Sequence, residues 1–124
     1  MSHDLPSLPD ILRVVRDYLD SIKDAVPEQD RYHAICCSHL LSIAEREVTQ
    51  GAGFDTEEAA ALNGFLGKTL RLEEATLELT QGLRTGALDT QWEAVSALVL
   101  QSVIDKVMIT KPDHLHPMHR EETL

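Results

Sequence analysis

The stretch EAVSALVLQSVIDKVMI, residues 93–109, decides the fold. Val95, Leu98, Val99, Leu100, Val103, Ile104, Val107, Met108 and Ile109 make most of it apolar. The polar exceptions Gln101, Ser102, Asp105 and Lys106 recur at steps of three and four. That spacing is helical. So dense an apolar set predicts a helix buried around most of its girth and wet along one narrow stripe. Such a helix belongs at the centre of a small helical domain. The pattern yields a fold class and no activity.

Working outward, the other segments also read as helices. Ser7 and Asp10 form a capping-box-like start, and Pro9 sits in the first turn, where its missing N–H costs nothing. Ile11, Leu12, Val15, Tyr18, Leu19 and Ile22 follow at helical spacing, and Pro27 ends the segment. Asp30 is the expected N-cap of a second helix with the stripe Tyr32, Ile35, Cys36, Leu40, Ile43, Ala44 and Val48. Gly51 and Gly53 are its expected C-cap residues. A third helix is expected from Asp55 or Thr56, with Glu57 and Glu58 favourable near its positive end. Gly64 and Gly67 weaken it by about 1 kcal/mol each relative to Ala. That predicts a kink, or two shorter helices over residues 56–66 and 69–83, the second closed by Gly86. Asp89 or Thr90 caps the last helix, and Pro112 stops it. No strand-type alternation interrupts this series. The expected fold is all-α, an antiparallel bundle of four to five helices. It forms a single domain over residues 1–124, with 1–6 and 114–124 loosely held.

Composition narrows the function. Across 124 residues, 43% are hydrophobic and only 4% aromatic, so the core is aliphatic and no base-stacking platform is available. The formal net charge is −10, and the 11 Lys and Arg residues are scattered. Such a surface repels phosphate, which argues against nucleic acid and anionic membranes as partners. No apolar run approaches the roughly 20 residues that span a bilayer. MSHDLPSLPD lacks the basic and apolar regions of a signal peptide. Cys36 and Cys37 are neighbours; a disulfide between them would be strained, so they read as free thiols of a reducing compartment. A cytoplasmic protein is the expectation.

Four constellations carry candidate chemistry. His33, Cys36 and Cys37 share part of a helical face and have zinc-type donors, with His39 nearby. No second ligand pair is present, so buried thiols beside half-exposed histidines are expected, with no metal. His114, His116 and His119 lie on a segment interrupted by Pro117, too loose for a preformed metal site. Asp105 and Lys106, with Ser102 one turn back, need partners if buried; Glu45, Arg46 and Glu47 are the candidates. The acidic set Glu57, Glu58, Glu73, Glu74 and Glu78 lacks the Glu-x-x-His pairing of di-metal bundles and reads as a solvated face. No phosphate loop, nucleophile elbow or zinc-protease motif occurs, and no cofactor is expected.

Three stretches in order carry a resemblance. They are Leu8-Pro9-Asp10-Ile11-Leu12-Arg13-Val14-Val15-Arg16-Asp17-Tyr18-Leu19; Tyr32-His33 leading to Ile43-Ala44-Glu45-Arg46-Glu47; and Val103-Ile104-Asp105-Lys106-Val107-Met108-Ile109 with Pro112 after it. Over roughly residues 5–114 the chain resembles a family of small bacterial helical proteins of no assigned activity. Its members occur alone or beside phosphotransferase-like kinases and acyl-CoA dehydrogenases. The family pattern often has Arg near Ile35 and Asn near His39, so a site built on those positions would be altered here. The resemblance implies a helical fold and partnership with an enzyme of one of those kinds.

Two functional readings follow. The first is a helical interaction or accessory module that docks on itself, as a homo-oligomer, or on such an enzyme. A sound helical core without a catalytic constellation motivates it. The alternative is a small ligand-binding protein or enzyme, with His33, Arg46, Asp105 and Lys106 converging on a pocket between helices.

Overall fold

The computed structural model describes residues 5–121. Five long helices run α1 (Leu8–Ile22), α2 (Glu28–Arg46), α3 (Ala52–Leu66), α4 (Leu72–Thr85) and α5 (Trp92–Thr110), followed by a short α6 (Pro117–Glu121). The described residues contain no strand, so the fold is all-α as expected. Two compact units divide the chain at Gly51 and Ala52.

The first unit is a helical hairpin of α1 and α2. Ser7 caps α1: its Oγ accepts from the Asp10 N–H at 3.3 Å and donates to Asp10 Oδ2 at 2.8 Å. The Ser7 hydroxyl, with Arg13 nearby, holds the Asp10 carboxyl below its ordinary range. α2 starts two residues before the expected Asp30. Pro27, with its fixed φ, occupies the N-cap, and Glu28 and Asp30 fall in the first turn, where the helix dipole favours them. Two polar ties hold α1 to α2. Ser38 Oγ donates to Asp20 Oδ1 at 2.6 Å, and Arg16 Nη1 donates to Glu45 Oε2 at 2.5 Å. Ser38 is the only buried residue of the two helices, and no apolar side chain in them is buried.

The end of α2 differs from expectation. No glycine cap occurs; a π turn, Glu47–Gly51, closes the unit, and α3 begins at Ala52. Gly51 is buried with the Glu47 carboxylate folded against it. Gly53 lies inside α3. Positive φ occurs instead at Gly67 (66°) and Gly86 (79°), the two helix ends where a left-handed residue is required.

The second unit has an aliphatic core. Leu62 of α3, Ala75 and Leu79 of α4 and Val95 of α5 are buried together, with Phe65, Leu66, Leu70, Leu72, Leu88 and Leu98 packed around them. α3 continues past Gly64 and stops at Gly67, and α4 runs three residues later than anticipated at its start. Asn63 ties the connection down. Its Oδ1 accepts from Leu70 N–H at 3.0 Å, and its Nδ2 donates to Leu70 O at 2.9 Å. A 3-10 turn, Asp89–Gln91, leads into α5, and Lys111 and Pro112 end it. The segment expected to be loosely held from His114 onward contains a buried Leu115 and the short α6.

α5 departs most from the sequence reading. Val95, Ile104 and Asp105 are buried, but Trp92, Val99, Leu100 and Val103 are exposed, at 42–65%. The helix is therefore covered on one side and not around most of its girth. The stripe expected to be wet is split, with Asp105 buried and Lys106 exposed.

Candidate functional site

One cleft in each unit brings polar side chains of two helices together. The first lies between α3 and α5 and has a volume of about 200 Å³. α3 supplies Glu57, Glu58, Ala61 and Leu62; α5 supplies Leu98, Gln101, Ser102 and Asp105. Steps of three and four put each set on one helical face. The floor is aliphatic and the rim is acidic. Gln101 Nε2 donates to Asp105 Oδ1 at 2.9 Å. Burial pushes the Asp105 carboxyl above its ordinary 3.8, and Glu58 and Glu57 push the same way against the Gln101 hydrogen bond. Glu57 and Glu58, read from the sequence as a solvated pair, thus line a cleft, with Glu58 half-buried.

The second cleft, about 210 Å³, lies on the hairpin. Arg16 of α1 faces Ser42, Glu45 and Arg46 of α2 and Thr49 and Gln50 of the π turn. Arg16 and Glu45 keep only 25% and 21% of their side-chain surface, so their ion pair is better shielded than an ordinary surface pair. The helical signal at Ser42, Glu45, Arg46 and Thr49 was legible; Arg16 as their partner and the π turn were not.

Of the four anticipated site residues, His33 and Arg46 belong to the first unit and Asp105 and Lys106 to the second. His33 is exposed on α2, its ring 5.9 Å from that of Tyr32. Arg46 lies thirteen residues further along the same helix, about 20 Å away by helical rise. Asp105 lines the α3–α5 cleft, whereas its neighbour Lys106 is exposed and does not. Asp105 takes its hydrogen bond from Gln101 of its own helix, and Glu45 pairs with Arg16.

Cys36 is half-buried, Cys37 is exposed, and both are free thiols. A hydrogen bond to Cys36 raises the Tyr32 phenol above its ordinary range. Among the described residues no group of three or more His, Cys, Asp and Glu could hold a metal ion. In the same residues no helix is long and apolar enough to cross a membrane.

Comparison with known proteins places most of the chain. No curated protein and no solved structure matches it. One family model does, a domain of unknown function, DUF6285, over residues 24–114. The match takes in α2 to α5 and leaves α1 before it. Covering nearly three quarters of the sequence, it shows that the chain belongs to the DUF6285 family.

Proposed function

We propose that the chain is a helical interaction module that pairs with a second copy of itself through the apolar stripe of α1. The observation that carries this reading is the hairpin itself, two long helices with no buried apolar side chain. On α1, Leu8, Ile11, Val14, Val15 and Tyr18 are exposed. Leu8, Ile11, Val15, Tyr18 and Ile22 also follow the alternating three-four step of a helix–helix seam.

The area suits a dimer. At ~25 cal/mol per Å² and about 1.5–3 kcal/mol per fully buried aliphatic side chain, five such residues represent roughly 300–600 Å² per copy. A standard interface buries about 800 Å² a side, just over half of it apolar, so the stripe supplies the needed apolar share. Two hairpins meeting along it complete a four-helix arrangement. A two-fold axis closes the contact and leaves no open end for fibre growth.

A competing occupant is an enzyme of the kind that the family resemblance implies, an acyl-CoA dehydrogenase or phosphotransferase-like kinase. The same resemblance supports a bacterial source. The free thiols Cys36 and Cys37 support a cytoplasmic setting.

Native mass spectrometry and sedimentation equilibrium on the untagged chain test the reading. A concentration-dependent dimer is expected, and Val15→Glu converts it to a monomer with its helical content retained. A strict monomer from micromolar to near-millimolar concentration would overturn self-association. A Val15→Glu dimer of unchanged affinity would remove α1 from the interface.

A further inference from the structure

We propose that the cleft between α3 and α5 binds a small protonated aliphatic amine, its ammonium held by Asp105 and Glu58 and its carbon chain laid over Leu62 and Leu98. Every residue of this cleft belongs to the second unit, so the site does not draw on the α1 stripe. Glu57, Glu58 and Asp105 line it, and no Lys, Arg or His does. Among the described residues none of these three carboxylates enters an ion pair. Lys106, next to Asp105 in sequence, is exposed and outside the lining. Like charges in one cleft disfavour one another's ionised form, and a bound cation reverses that.

Asp105 supplies an observation independent of the charge count. It is 7% exposed, and a buried carboxylate needs hydrogen-bond donors. Its one hydrogen bond comes from Gln101 Nε2 to Oδ1 at 2.9 Å. Among the described residues Oδ2 accepts from none, yet it is not closed off from solvent. Asp105 lines the cleft, so that oxygen opens into it. An ammonium brings three N–H donors and no acceptor, which is what the chain leaves wanting there. Ser102 Oγ, on the same face of α5, can accept a second N–H.

The floor distinguishes an organic cation from a bare one. Among the described residues no group of three or more His, Cys, Asp and Glu could hold a metal ion, so these carboxylates do not close on one. Leu62 is buried in the core and Leu98 packs against it, which gives the cleft aliphatic surface that a hydrated ion cannot use. The volume is about 200 Å³. A cavity of about 150 Å³ takes benzene, so an amine of about six to eight non-hydrogen atoms fits.

The test is an amide NMR titration of the full chain with pentylammonium chloride, n-pentanol and ammonium chloride in turn, at constant ionic strength held by sodium chloride. Saturable shifts around Glu58, Leu62, Leu98 and Asp105 are expected for pentylammonium. Pentanol keeps the chain without the charge, and ammonium keeps the charge without the chain; each binds about tenfold more weakly or worse. Nα-acetyl-lysine amide separates two sources of such an amine. Binding tighter than pentylammonium assigns a peptide lysine, and weaker binding assigns a free amine. Ala61→Leu, at an exposed position, fills the cleft and weakens pentylammonium binding about tenfold. Asp105→Asn weakens it as much, and Glu58→Gln carries the same test if Asp105→Asn disturbs the fold. Non-saturating shifts with pentylammonium, or affinity unchanged in all the variants that fold, would overturn the site. Pentanol binding as tightly as pentylammonium would overturn the role of the carboxylates, and ammonium doing so would overturn that of the leucines.

Discussion

Asp105 is the residue whose chemistry the fold alters most. The residue is 7% exposed, lines a cleft with Glu57 and Glu58, and has its carboxyl pushed above the ordinary 3.8 chiefly by burial. The folded chain thus binds the Asp105 proton more tightly than the unfolded chain does. The stabilising contribution is fully present below pH 3.8 and is lost as pH rises through the elevated folded value. Asp105→Asn removes that penalty and keeps an oxygen to accept from Gln101. Thermal melts should show the variant more stable than the parent at pH 7, with the difference vanishing below pH 3.8. A second residue acts through backbone groups. Asn63 satisfies both the N–H and the C=O of Leu70, at 3.0 and 2.9 Å. Truncation leaves those half-buried groups without their partner, so Asn63→Ala should cost about 1–3 kcal/mol in urea unfolding. Asn63→Asp, which keeps the acceptor for the Leu70 N–H, should recover part of that loss.

At the scale of elements, two glycines inside helices make opposite demands. A Cβ on Gly64 of α3 meets nothing within 4 Å, so Gly64→Ala should stabilise by about 1 kcal/mol through helix propensity alone. A Cβ on Gly82 of α4 would fall 2.7 Å from Leu88 Cδ1 and 2.9 Å from its Cγ. Leu88 packs on the core by folding back over that bare turn. Gly82→Ala should therefore reverse the sign, since overpacking at about 1–3 kcal/mol outweighs a propensity gain of about 1 kcal/mol. Paired melts of the two variants check this. The ends of elements were legible wherever one residue type has one physical use. Ser7 caps α1, Gly86 ends α4 in the left-handed region, and Pro112 follows the end of α5. Pro27 was read as a stop and not as the N-cap it also is. Gly51 and Gly53 looked like caps because a π turn leaves no mark in apolar spacing. For α5, periodicity showed which residues share a face, but apolar side chains lie on both faces and so could not say which one is covered. The packing of α3 decided it, bringing Glu57 and Glu58 to the stripe that looked wet. The α3–α5 cleft was illegible for the same reason.

For the whole molecule, the contrast between the units sets the energetics. The second unit has its own core of Leu62, Ala75, Leu79 and Val95. The first has polar ties at Ser38–Asp20 and Arg16–Glu45 and an uncovered apolar stripe. Isolated helices of this length are marginal in water and take most of their stability from packing an apolar face. Pairing through α1 would give the hairpin that packing, and the charge of the chain predicts how salt must affect it. Each copy is formally −10, so two copies repel at long range while the stripe attracts at contact. At low ionic strength the repulsion opposes assembly. As the Debye length falls to about 10 Å at 0.1 M salt, the repulsion is screened and the apolar term is left nearly intact. The dimer should therefore tighten as sodium chloride is raised to about 0.1 M. Docking of this acidic surface on a basic enzyme would weaken over the same range, because there the screened term is attractive. Sedimentation equilibrium across a salt series reads that sign directly. Tightening supports a second copy on α1, and a dimer that loosens with salt would show charge pairing, not the apolar stripe, to be what holds it.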